Sequence, residues 1–66
     1  MPTLLRMKGY RFFVFSNEGN EPAHIHVTKD GNVAKFWLGP VCLASSRGFR
    51  SREMREIREM CELYEQ

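Results

Sequence analysis

The segment Tyr10-Arg11-Phe12-Phe13-Val14-Phe15-Ser16 decides the fold of this chain. Aromatic and β-branched residues in such a run favour an extended strand, and no proline interrupts it. Lys8-Gly9 precedes it and is typical of a tight hairpin turn, so we expect Thr3–Met7 to pair with it as an antiparallel strand. Because side chains alternate along a strand, both faces of the segment are apolar. One face carries Phe13 and Phe15, and the other carries Tyr10, Phe12 and Val14.

The rest of the chain supplies two more strands and a helix. The pattern predicts a strand at His24–Thr28, and an Asp-Gly pair indicates a second hairpin into a strand at Val33–Leu38. Val41–Ala44 is either a short fifth strand at the sheet edge or a connection. After Ser51, the predicted N-cap, apolar residues recur about every 3.6 positions, which indicates an amphipathic helix over Arg52–Glu65.

These elements predict one α+β domain over residues 1–66. Strands followed by a helix favour a small antiparallel sheet of about four strands in the order β-β-β-β-α, with the C-terminal helix packed on one face. The strand Val33–Leu38 is also apolar on both faces, and the face without a helix would be a larger apolar patch than monomers usually expose. Either the sheet twists and folds over itself, or a second copy or a partner protein covers this face. We favour the second interpretation.

Length and composition limit what the chain can be. Its 66 residues carry a formal net charge of +2, which is too small to require a polyanionic partner. The longest uncharged apolar run, Phe12–Phe15, is far shorter than the roughly 20 residues of a membrane span. Arg6 interrupts the N-terminal stretch Met1–Met7, so we expect no secretory leader and a cytoplasmic protein. In that reducing compartment Cys42 and Cys61 are expected to stay unpaired.

Both histidines lie in the segment Glu21-Pro22-Ala23-His24-Ile25-His26-Val27. Residues two apart on a strand share a face, so the two imidazoles are expected roughly 7 Å apart and able to converge on one ligand. Three roles are open: hydrogen bonding within the fold, phosphate binding or acid–base chemistry on a phosphodiester, and divalent metal binding. Metal binding is limited by ligand number, since only Glu18, Glu21 or Cys42 would add to the histidines. We therefore expect no closed metal site and no cofactor.

A group of arginines surrounds the start of the predicted helix: Arg47, Arg50, Arg52, Arg55 and Arg58. One interpretation is a solvated helix face, since the last three each precede a glutamate by four positions. This order opposes the helix dipole, however, because the positive charges lie at the helix N-terminus. The other interpretation is a basic surface that binds nucleic-acid phosphate or an acidic partner.

Motifs are distributed over nearly the whole chain. They are Pro2-Thr3, Tyr10-Arg11-Phe12-Phe13, Ser16 followed by the pattern Asn-Glu-x-x-Glu-Pro-x-His-Ile-His-Val from Asn17, Ala34-Lys35-Phe36-Trp37-Leu38, and the closing Arg-Glu helix. Together they resemble the bacterial family called domain of unknown function 4160, with one departure at Ala23, where the family commonly has a second proline. The resemblance implies a small stand-alone bacterial protein, often encoded beside another small domain as a type II toxin–antitoxin pair. The family has no settled activity, so it assigns no catalytic role.

Two hypotheses from different classes follow. The first is a toxin–antitoxin component that binds or cleaves RNA without a metal, with His24 and His26 as catalytic residues and Glu21 orienting a histidine. In this hypothesis one phosphate lies between the histidines and the arginine group. The second is a non-enzymatic interaction module, metal-stabilised in one version, that works as a homodimer or with a small partner protein such as a cognate antitoxin. The sequence contains no evident nucleophile or complete acid–base set, so whether the protein is an enzyme stays open.

Overall fold

The computed structural model of the protein describes residues 3–16 and 21–65, which form one sheet and one helix. The sheet is antiparallel, and its strands lie side by side in chain order. The α+β prediction is therefore confirmed. The elements are β1 (Thr3–Met7), β2 (Tyr10–Phe15), β3 (His24–Lys29), β4 (Asn32–Trp37), β5 (Cys42–Arg47) and α1 (Ser51–Glu65).

Both predicted hairpin turns form. Lys8-Gly9 has φ values of 54° and 84°, and Asp30-Gly31 has φ values of 51° and 82°. Two consecutive residues with positive φ make the type I′ turn, whose twist matches that of the flanking strands. The first turn fixes the pairing of Met7 with Tyr10, and this register determines which side chains of β1 and β2 share a face.

The sheet has a complete fifth strand, where the sequence predicted about four strands in all. Val41–Ala44 was expected as a short edge strand or a connection, whereas β5 continues to Arg47. Every residue of this edge strand is exposed, so its second half can be polar. The sequence therefore lacks the apolar alternation that would have predicted this part of the strand. The pairing with β4 shifts between Lys35 and Phe36, which leaves Ala44 as a β-bulge.

The helix packs on one face of the sheet, as predicted, and the core lies between the two. We call the opposite face the open face. The alternation expected for Tyr10–Ser16 is confirmed, because Phe13 and Phe15 are half-buried on the open face while Tyr10, Phe12 and Val14 point to the core. The sheet contributes Tyr10, Phe12, Val14, Ile25, Val27, Ala34 and Phe36 to the core, and the helix contributes Ile57, Met60 and Cys61.

The start of α1 differs from the prediction, since its N-cap is Arg50 and Ser51 is already helical. The Arg50 backbone N–H donates a hydrogen bond to Glu53 Oε1 at 3.0 Å, and the Met54 N–H donates to the Arg50 carbonyl at 2.9 Å. This is one half of a capping box, in which the third helical residue binds back to the cap. Serine is the commoner N-cap, but here the Glu53 carboxylate does the capping.

Along α1, one of the three expected Arg–Glu pairs lies within salt-bridge distance in the described residues. Arg58 Nε is 3.5 Å from Glu62 Oε2. Glu56 instead contacts the first hairpin, where its Oε1 accepts a hydrogen bond from the Tyr10 hydroxyl at 3.0 Å and its Oε2 lies 3.6 Å from Lys8 Nζ. Among residues 3–16 and 21–65, no helix is long and apolar enough to cross a membrane.

Candidate functional site

The open face carries both histidines, and the strand register aligns its side chains in three rows across the sheet. The aromatic row contains Phe15, His24, Trp37 and Cys42. The middle row contains Leu4, Phe13, His26, Lys35 and Ser45. The arginine row contains Arg6, Arg11, Thr28, Val33 and Arg47.

The two imidazole rings lie beside each other, as predicted. Their centroids are 5.2 Å apart, closer than the roughly 7 Å expected from strand geometry alone. His24 is only 7% exposed, because its ring stacks on Phe15 at 4.8 Å and packs edge-on with Trp37 at 5.8 Å. His26 is exposed and lies 5.3 Å from the Phe15 ring. A ligand on the open face therefore has easier access to His26 than to His24.

Two polar contacts orient this cluster. His24 Nδ1 lies 3.0 Å from the Pro22 carbonyl oxygen. Since a carbonyl only accepts, Nδ1 donates the hydrogen bond, and Nε2 is the accepting nitrogen of the neutral ring. Glu21, expected to orient a histidine, instead forms an ion pair with Lys35 at 3.3 Å. Lys35 Nζ also lies 4.4 Å from the centre of the Trp37 ring, which is a cation–π contact.

The cluster changes the proton affinity of His26. Partial desolvation of the ring, together with the charges of His24 and Lys35, lowers the pKa of His26 from its usual value of 6.5, although Glu21 acts in the opposite direction. This shift favours the neutral form of His26, whose ring can accept a proton or a hydrogen bond and can stack on another ring without a positive charge.

The predicted arginine group is divided between the two sides of the sheet. Arg47 lies on the open face, in the arginine row. Arg50 and Arg52 surround a surface depression at the start of α1, beside Asn32 and Glu53. Because α1 packs on the core side, the sheet separates the helical arginines, including the exposed Arg55 and Arg58, from the histidines. A single phosphate that contacts the histidines is therefore out of reach of the helical arginines, whereas Arg47 lies on the same face as the histidines.

Arg6 and Arg11 were not predicted as site residues, yet both are exposed on the open face and are paired across β1 and β2. The alternation that placed Phe13 and Phe15 on this face also places Arg11 there, so the sequence contained the signal. With Lys35 and Arg47, they give the three rows four cations and no carboxylate among the described strand positions.

The described residues offer no metal cluster. In residues 3–16 and 21–65, no three His, Cys, Asp or Glu side chains come together in a way that could hold a metal ion. Cys42 is exposed in the aromatic row, and its thiol lies 3.9 Å from the Leu43 carbonyl. Glu18, one of the residues considered as a ligand, lies outside the described residues.

Comparison with known proteins places the chain in one family. No curated protein and no solved structure matches it. A family model does match, and it covers residues 9–66, which include the histidine strand, the whole of β2 to β5 and the helix. The match extends over most of the chain and agrees with the motifs found in the sequence. The chain therefore belongs to the family described as Domain of unknown function (DUF4160).

Proposed function

We propose that this protein binds single-stranded RNA on the open face of its sheet, as one component of a toxin–antitoxin pair. The observation that carries the proposal is the composition of that face, where a row of rings and a row of arginines lie on either side of the middle row, without a carboxylate on the strands. Unpaired bases stack on aromatic side chains, and arginine and lysine bind the phosphates between them. A sheet face with both features suits a single strand.

The spacing of the rows supports this choice. Rows on one face are two residues apart along each strand, which is roughly 7 Å, and the arginine row crosses five strands over roughly 19 Å. Bases on the aromatic and middle rows would leave their phosphates near Arg6, Arg11 and Arg47. A double helix is a poorer ligand, because its bases are stacked inside and cannot reach the half-buried Phe15 and Trp37 rings.

Cleavage of the bound RNA is a second candidate, favoured by the neutral His26 beside His24. In such a step His26 takes the proton of a ribose 2′-hydroxyl, whose oxygen attacks the adjacent phosphorus. The bond from phosphorus to the 5′ oxygen then breaks, and a second group must give that oxygen a proton. Lys35 is the neighbouring donor, because the Nδ1 proton of the neutral His24 ring is held by the Pro22 carbonyl and this ring has little exposed surface. Binding is therefore the primary proposal.

The test of binding is a salt titration with a fluorescently labelled single-stranded RNA. We expect affinity to fall steeply between about 50 and 200 mM salt, and each lost phosphate contact to reduce the logarithmic slope by about 0.7. Replacing both Arg6 and Arg11 by glutamine should flatten the slope. The matched control replaces Arg52 and Arg55 by glutamine, which removes the same charge from the other side of the molecule.

The proposal fails if the two double variants lose affinity equally, because net charge alone would then explain binding. It also fails if the wild-type protein shows no salt-dependent affinity. The same reactions, analysed on a gel, test the second candidate. His26→Asn should keep most of the affinity and abolish any cleavage, and cleavage that survives this change would exclude His26 as the base.

A further inference from the structure

The two edges of the sheet differ in how they are protected. An edge strand presents unpaired N–H and C=O groups, and proteins usually block it with a bulge, a proline or charges. β5 has a bulge at Ala44, and every one of its residues is exposed. β1 has the sequence Thr-Leu-Leu-Arg-Met, with a regular register and a single charge at Arg6. Of the two edge strands, β1 is therefore the one that can pair with a further strand.

The hairpin geometry determines which backbone groups of β1 point outward. A two-residue turn makes its flanking residues, Met7 and Tyr10, a hydrogen-bonded pair. Because such pairs alternate along an antiparallel ladder, Leu5 also bonds inward to β2. The N–H and C=O groups of Leu4 and Arg6 consequently point away from the sheet, and no other described strand lies beside them.

An apolar cleft opens next to this edge, between β1 and the last turn of α1. It has a volume of about 230 Å³, and none of its lining residues is charged. Leu5 and Met60 form part of its floor. Around it project Leu63, which is 68% exposed, and Tyr64 and Met7, which are each 48% exposed. The same patch thus contains an apolar cleft and the apolar side chains that would fill the cleft of another molecule.

We infer that a second copy of this chain docks along β1 and joins the two sheets edge to edge. The two strands run antiparallel about a two-fold axis at Leu5. In this register Leu4 of each copy faces Arg6 of the other, so the outward backbone groups form hydrogen bonds. The two Leu5 residues face each other as a non-hydrogen-bonded pair. The register also keeps the two Arg6 guanidinium groups from lying directly opposite one another.

The choice of a second copy as the occupant rests on shape and charge. A two-fold interface must be complementary to itself, and the β1 patch holds both the cleft and the side chains that project. The cleft is neutral, whereas the open face would set Arg6, Arg11, Lys35 and Arg47 against the same cations of a second copy.

This arrangement moves the expected dimer interface from the open face to the sheet edge. A two-fold axis that relates antiparallel edge strands is perpendicular to the sheet, so both open faces lie on the same side of a ten-stranded sheet. Both arginine rows then remain accessible to solvent. The dimer itself does not rest on the RNA proposal, and its tests contain no RNA, so either proposal can fail without the other.

The first test is light scattering at micromolar concentration on the wild-type protein and two variants at one position. Arg6→Pro removes the outward N–H that the second copy needs, while proline is tolerated on an edge strand. Arg6→Gln removes the same charge and keeps the N–H. We expect a dimer for the wild type and Arg6→Gln, and at least about tenfold weaker association for Arg6→Pro. Circular dichroism checks that Arg6→Pro is folded.

The second test is disulfide trapping and does not depend on that variant. Facing residues in a non-hydrogen-bonded pair have Cα atoms about 4.5 Å apart, within the range of a disulfide. In a Cys42→Ser background, Leu5→Cys should form a covalent dimer on mild oxidation, and Ser45→Cys on the opposite edge should not. A wild-type protein that is monomeric at about 100 μM, far above the Kd of a specific complex, or trapping through Ser45→Cys alone, overturns the inference.

Discussion

At the residue scale, Tyr10 connects the first hairpin to the helix. Its side chain is only 2% exposed, its ring packs against Phe12 and Phe49, and its hydroxyl donates a hydrogen bond to Glu56. Burial of the phenol, followed by the hydrogen bond to Glu56 and the charge of that carboxylate, raises the pKa of Tyr10 to about 12. Ionising this hydroxyl would place a buried negative charge beside a carboxylate, so the folded state favours the protonated form.

Replacing Tyr10 by phenylalanine should have two measurable effects. The free energy of unfolding should fall by about 1 kcal/mol at pH 7, because the bond to Glu56 is lost. The pKa of Tyr10 rises on folding from 10.0 to about 12. The protonated hydroxyl therefore stabilises the folded state fully below pH 10, and this stabilisation is lost as the pH rises through 12. Urea denaturation at several pH values should show this alkaline loss in the wild type and a smaller loss in Tyr10→Phe.

Tyr64 provides the matched control for this prediction. Its side chain is 48% exposed, so Tyr64→Phe should leave both the stability at pH 7 and the alkaline loss close to those of the wild type. An alkaline loss that is equal in Tyr10→Phe and the wild type would contradict the assignment, since other groups would then account for it.

At the element scale, Gly48 allows β5 to turn into α1. Its φ is +98°, which L side chains rarely adopt, and a Cβ at this position would overlap the side chain of Asn32. Gly31 has a similar φ of +82°, but a Cβ there would meet nothing within 4 Å. Substitutions at Gly31 and Gly48 therefore distinguish two losses of stability: one from the left-handed backbone conformation, and one from the overlap with Asn32.

Alanine substitution of each glycine should give different losses of stability. Gly31→Ala should cost about 1 kcal/mol, from the left-handed conformation alone. Gly48→Ala should cost at least about 2 kcal/mol, because the overlap with Asn32 adds to the same conformational cost. Chemical denaturation measures both values. Equal losses would show that Asn32 moves aside without penalty.

The sequence was sufficient for most elements and insufficient for two of their boundaries. The Lys8-Gly9 and Asp30-Gly31 turns were predictable because their backbone geometry nearly requires such residues. The full extent of β5 was not, since an exposed edge strand needs no apolar alternation. Arg50 as the N-cap was also not predictable from its own side chain, because the cap contact is made by its backbone and Glu53.

At the scale of the whole molecule, the sequence could not say which face of the sheet the helix covers. Both faces of β2 are apolar, so the alternation of Phe12 and Phe13 is compatible with a helix on either side. The structure places the helix against Phe12, which leaves the histidines with Arg6 and Arg11 and puts the helical arginines on the far side. Predicting that the helical arginines lie away from the histidines thus required the packing of the helix.

The size of the molecule gives the final prediction. A 66-residue chain is expected to gain only about 3–5 kcal/mol from its core, so a second copy would contribute a large part of the total stability. If the chain dimerises through β1 as inferred, dimerisation and folding are linked, and the apparent free energy of unfolding per mole of dimer should rise by about 1.4 kcal/mol for each tenfold increase in protein concentration. Thermal denaturation followed by circular dichroism over a concentration series measures this dependence. Arg6→Gln should keep it and Arg6→Pro should lose it, whereas a wild-type midpoint independent of concentration would mean that the folded unit is the single chain.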